Sequence, residues 1–115
     1  RVEFRGHVAQ DELAALYRGA ACLVFPSRYE GFGLPVLEAM ASGTPVVATT
    51  AGALPEVSGN AAILVDERTP VALAGGIERA IADRERLVKA GLERARRFTW
   101  AEAARRTLDV YRELL

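Results

Sequence analysis

An α/β fold of about four parallel strands, with helices on both faces of the sheet, is predicted by three observations. Short continuous apolar runs at Cys22–Phe25, Pro45–Thr50 and Ala62–Val65 have the pattern of strands buried on both faces. Between them lie stretches whose apolar residues recur at helical spacing. Strands that alternate with helices are joined by right-handed crossovers, which makes the sheet parallel and lays helices over it in three layers.

Along the chain, Val2 and Phe4 alternate with charged residues and Gly6 closes the run, so residues 2–6 read as the first strand. Asp11 and Glu12 favour a helix N-terminus, and Leu13, Leu16, Tyr17 and Ala20 continue a helix over about 11–20. The strand 22–25 ends at Pro26, and the loop Ser27–Gly33 follows. Pro35 suits a first helical turn, and Val36, Leu37, Met40 and Ala41 give that helix an apolar face until Gly43 stops it, so it spans about 35–42. After the strand 45–50, residues 54–58 have room only for a short helix before the Gly59-Asn60 turn, and 62–65 is the fourth strand.

Thr69-Pro70 starts the next helix, with Leu73, Ala74, Ile77 and Ile81 on one face. Gly75 and Gly76 inside it each cost about 1 kcal/mol relative to Ala, which predicts close packing or a kink. Residues 84–97 read as helical, Thr99–Glu102 as a capping box, and 100–114 as a final helix with Ala104, Leu108, Tyr111 and Leu115 on one stripe.

Composition narrows the function. The 115 residues fit one domain with a real core. Fifteen basic and fifteen acidic residues cancel, so no overall field draws in a polyanion and, local patches aside, no nucleic-acid partner is expected. Cys22 is the one cysteine and, within its apolar run, reads as core filler rather than a nucleophile. No apolar run approaches the roughly 20 residues of a bilayer span, and no charged start precedes an apolar core; the expected location is cytoplasmic, with any parent protein at most peripheral to a membrane. The chain starts at Arg1, directly on a strand pattern, which suggests that it was cut from something longer.

In an open parallel sheet, ligands bind beyond the carboxyl ends of the strands, where the loop 27–33 lies. Gly31 and Gly33 remove side chains where backbone must approach a ligand, and the helix they open exposes unpaired N–H groups suited to a diphosphate. Glu30 precedes that helix and Glu38 lies about one turn inside it, both placed to accept hydrogen bonds from sugar hydroxyls. The plainer reading makes Glu30 a loop charge and Glu38 a helix-dipole partner.

Phe25-Pro26-Ser27, Glu30-Gly31-Phe32-Gly33-Leu34-Pro35, Glu38-Ala39 and Gly43-Thr44-Pro45-Val46-Val47 together resemble the retaining GT-B glycosyltransferases, and the likeness runs on through Gly52, Pro55-Glu56 and Ala62–Val65 to Phe98-Thr99-Trp100. The resemblance implies an incomplete Rossmann-like sheet and a single partial donor-binding domain over 1–115. It implies that the catalytic Glu30 holds donor-sugar hydroxyls, that the N–H groups of Gly31, Phe32, Gly33 and Leu34 meet sugar and diphosphate, that Glu38 binds the ribose, and that His7 lies near the nucleobase. A lone His after a strand is, without the resemblance, more often a loop residue. Arg28 and Asp66 read as solvated charges.

The resemblance further implies a nucleotide diphosphate sugar as donor substrate, with no separate cofactor and no metal. It places upstream two strands with a diphosphate-neutralising Arg and Lys, and an acceptor domain, none of which is in this sequence. The missing strands would separate 2–6 from 22–25, leaving open edges that favour a homodimer or a rearranged sheet, and the last helix would lack its partner. The chain alone is then expected to be inactive. The alternative is an inactive engineered or excised folding or self-assembly fragment. A general dinucleotide-binding domain is disfavoured, because no Gly-x-Gly-x-x-Gly follows the first strand.

Overall fold

A computed structural model describes the chain from Arg1 to Leu115. Its elements in order are α1 (Gln10–Gly19), β1 (Leu23–Phe25), α2 (Leu34–Ala41), β2 (Val46–Thr49), α3 (Leu54–Ser58), β3 (Ile63–Val65), α4 (Pro70–Ala82), α5 (Arg84–Arg96) and α6 (Trp100–Leu114). From β1 onward, the bounds read from apolar period and helix signals fall within one residue of these. The strands form one parallel sheet in the order β1-β2-β3, with Leu23 opposite Val46 and Val47 opposite Ile63.

β2 is central and all four of its residues are buried, which explains why its apolar run shows no polar alternation. Successive side chains still point to opposite faces. Val46 and Ala48 join Val36, Leu37, Met40, Leu54 and Val57 in one cluster under α2 and α3. Val47 joins Val65, Ala80 and Leu87 in a second cluster under α4. Helices therefore cover both faces, the expected three-layer arrangement.

Gly76 lets α4 lie close on the sheet: a Cβ there would stand 2.7 Å from Val47 Cγ1 and 3.1 Å from Val65 Cγ1. Gly75 meets nothing within 4 Å, so the expected close packing belongs to one member of the pair. Cys22 is half-buried against the second cluster; burial pushes its thiol up and the Arg84 charge offsets part of that.

Two expectations are corrected. Residues 2–6 form no strand, and the sheet has three strands rather than about four. Alternation describes a half-buried strand only where a neighbouring edge supplies hydrogen bonds and an apolar layer. Here Val2 and Phe4 are exposed, and Arg5 pairs with Glu3 and Glu12. The capping box is half-formed: Thr99 accepts from the Glu102 N–H at 3.0 Å, but the Glu102 carboxylate turns to Arg105 and Arg106. Two charged donors within one turn outcompete a single backbone N–H.

Candidate functional site

The loop between β1 and α2 leaves the carboxyl end of the sheet, and its backbone is held from below. Thr49, the last residue of β2, donates through Oγ1 to the Ser27 carbonyl at 2.6 Å. Ser27 Oγ donates to the Tyr29 carbonyl at 2.9 Å and lies 3.4 Å from Glu30 Oε1. The Glu30 carbonyl accepts from the Ala53 N–H at 3.0 Å, which ties the loop to the start of α3.

Two glycines make that approach possible. Gly52 has φ +51°, and a Cβ there would sit 2.1 Å from the Glu30 carbonyl oxygen. Gly33, at φ +89°, is the N-cap of α2, and a Cβ there would fall 2.5 Å from Leu54 Cδ2. Gly33 thus answers to packing and conformation, whereas a Cβ on Gly31 would enter open space.

The N–H groups of Gly31, Phe32, Gly33 and Leu34 donate to no backbone acceptor. The N-cap glycine has no side chain to satisfy them, Pro35 brings no N–H, and the first turn of α2 carries no acid. These donors lie in the loop and first turn at the positive end of the α2 dipole, where unpaired N–H groups and helix dipoles favour negative charge.

Glu30 and Glu38 are both half-buried, but different partners hold them. Glu30 keeps Oε2 free beside Ser27. Glu38 Oε2 accepts from the Tyr17 hydroxyl at 3.2 Å, leaving Oε1 free. Burial, then the Glu38 charge and its hydrogen bond, push the Tyr17 phenol up to about 12, so Tyr17 remains a donor at neutral pH. Thr44 in turn donates to the Tyr17 carbonyl, fixing α1 against the end of α2. His7 is exposed in the bend before α1. Arg28 and Asp66 are exposed as solvated charges would be.

Sequence reasoning missed Tyr17 as the partner of Glu38, because 21 residues separate them and Tyr17 fits equally well on an apolar helix face. It also gave no role to Phe98, which meets Phe32 edge-on at 5.8 Å, or to Arg94, whose guanidinium lies 5.1 Å from the Phe98 ring centre. The aromatic in Phe98-Thr99-Trp100 was the available signal.

Comparison with known proteins places this loop among relatives. Residues 1–83 match the family described as Glycosyl transferases group 1. The chain is 38% identical over 116 residues to the O-antigen chain mannosyltransferase B of Escherichia coli, covering 98% of this chain and 30% of that protein. It is 44% identical over 116 residues to the D-inositol 3-phosphate glycosyltransferase of a Nocardioides species, covering 96% of this chain and 25% of the other. Among solved structures, the sucrose-phosphate synthase of Thermosynechococcus elongatus superposes with a TM-score of 0.82 at 39% identity, over 99% of this chain and 30% of the synthase. The chain thus spans between a quarter and a third of the length of these relatives.

Proposed function

Since the chain belongs to the glycosyl transferases group 1 family and has part of its GT-B, Rossmann-like fold, we propose that it is the donor-binding part of an enzyme that moves a hexose from a nucleotide diphosphate sugar to an acceptor. The single observation that carries this reading is the row of unpaired N–H groups from Gly31 to Leu34, between two carboxylates that each keep an oxygen free.

In transfer, the bond from the sugar C1 to the diphosphate oxygen breaks with its electron pair, and the acceptor hydroxyl bonds to C1 as its proton passes to the departing diphosphate oxygen. Negative charge grows on the diphosphate, where prearranged donors lower the barrier most. The free N–H groups meet sugar and diphosphate, Glu30 Oε2 accepts from sugar hydroxyls, and Glu38 Oε1 accepts from the ribose while Tyr17 fixes the other oxygen. His7 lies toward the nucleobase. In this reading residues 1–115 are one partial donor domain, transfer proceeds with retention, and this chain supplies donor binding rather than turnover. The expected Arg/Lys pair and acceptor groups are not among its residues.

Ligand-observed NMR with UDP-glucose, GDP-mannose and the free nucleotides tests this. Expected is weak binding to the chain that Glu30→Ala reduces for the sugar nucleotides and Glu38→Ala reduces for free nucleotides as well. Binding of equal strength in both variants would remove both carboxylates from the site.

A second reading, a self-assembling fragment without activity, is favoured by the outer edge of β1, which pairs with no strand, and by α6, which buries no residue. A mass in light scattering that stays monomeric at all concentrations would count against it.

A further inference from the structure

Arg94, near the carboxyl end of α5, joins two supports of the 26–33 loop. Its Nε donates to the Val57 carbonyl at 2.8 Å and its Nη2 to the Glu56 carbonyl, so one guanidinium fork closes the last turn of α3. The same planar group lies over the Phe98 ring, and Phe98 meets the Phe32 ring at an interplanar angle of 78°. Gly59 leaves the space for this: a Cβ there would stand 3.3 Å from Arg94 Nε.

Both contacts end on the loop. α3 accommodates Gly33 against Leu54, and its leading residue Ala53 holds the Glu30 carbonyl. Phe98 holds Phe32, whose own N–H is one of the four unpaired donors. No carboxylate pairs with Arg94, so its charge is committed to the α3 carbonyls and the aromatic face.

We infer that Arg94 is a positioning residue that grips the loop from two sides, through α3 and through Phe98, so that the N–H groups of residues 31–34 keep one orientation toward an anionic ligand. The purpose of that orientation rests on the donor-binding reading above; the grip itself does not. An aromatic ring at 98 is needed for it, and a leucine of similar bulk breaks it.

The test uses the whole 115-residue chain, isotopically labelled, as wild type, Arg94→Met, Phe98→Leu and Phe98→Tyr. Readouts are the backbone order parameters of residues 31–34, hydrogen exchange at the Ala53 N–H, and UDP titration, with the Val46–Thr49 amides of β2 reporting global opening. Arg94→Met and Phe98→Leu are expected to drop the order parameters from the rigid range near about 0.85 toward about 0.6. Exchange at Ala53 should rise and UDP affinity fall, each about tenfold, the loss of one charge-assisted contact, while β2 protection stays unchanged. Phe98→Tyr, which keeps the ring, should match wild type. Unchanged loop order in both disruptive variants overturns the inference, and so does a loss of β2 protection equal to that at Ala53, which would make Arg94 a general stabiliser. If the wild-type chain binds no UDP, the donor-binding reading falls, and loop order with Ala53 exchange still decides whether Arg94 grips the loop.

Discussion

A methyl group at Gly52 would meet the Glu30 carbonyl oxygen at 2.1 Å, and backbone cannot swing aside as a side-chain end can. At Gly33 the obstructing atom is the far end of the Leu54 side chain, which yields more readily than backbone although it is packed in the core, and the positive φ adds about 1–2 kcal/mol. Gly52→Ala is therefore expected to destabilise the chain by more than Gly33→Ala in urea unfolding and to break the Ala53–Glu30 hydrogen bond, seen as lost Ala53 protection. Tyr17 gives a pH dependence of defined sign. Its phenol is raised from 10 to about 12 in the folded chain, so the folded state holds that proton more tightly than the unfolded state. The resulting stability is fully present below pH 10 and is lost as pH rises toward 12. Tyr17→Phe should flatten the alkaline decline of stability in this window; an identical decline in the variant would mean that other groups cause it. This contact shows the limit of sequence reading at the residue scale. Spacing placed Glu30 and Glu38 around one helix start and only the family resemblance gave them roles, while the hydroxyl that holds Glu38 comes from α1, and only the fold brings it there.

At the scale of elements, buried runs and helix signals were legible because each carries its own local cause: Pro at a first turn, Thr at an N-cap, valines in a central strand. Residues 2–6 were not, because alternation names a face and is silent about the neighbour that must pair with it. The two adjacent glycines of α4 separate these kinds of information. A helix propensity scale treats them alike, yet Gly75 faces open space and Gly76 faces Val47 and Val65. Gly75→Ala is expected to stabilise by about 0.5–1 kcal/mol, the helical gain of Ala over Gly. Gly76→Ala should destabilise by about 1–3 kcal/mol, because its Cβ would meet stiff β-branched side chains in a packed layer. Urea midpoints of the two variants moving in the same direction would contradict the α4–sheet packing.

For the whole molecule, only 20 of 115 residues are buried, and the radius of gyration is 15.4 Å where a compact chain of this size would have about 13 Å. The excess length comes with α6, which buries none of its residues and leaves Trp100, Leu108, Tyr111 and Leu115 exposed. Its stability is local: the Thr99 cap, and Glu102 held down to about 2 first by its hydrogen bond to Arg105, then by that to Arg106. A 15-residue helix is marginal in water without tertiary packing. The carboxylate contribution is present above the ordinary glutamate range and disappears as pH falls through about 2, so α6 should lose helicity in acid before the packed sheet does. Trp100 is the one tryptophan and is 92% exposed, which makes its fluorescence a direct report on this helix. If α6 stands free, emission should lie at the red limit of a solvated indole, independent of protein concentration and fully open to a neutral quencher. Emission that moves to the blue as concentration rises would mean that the apolar stripe docks on a second copy, and a concentration-independent blue position would mean that it folds back on its own sheet.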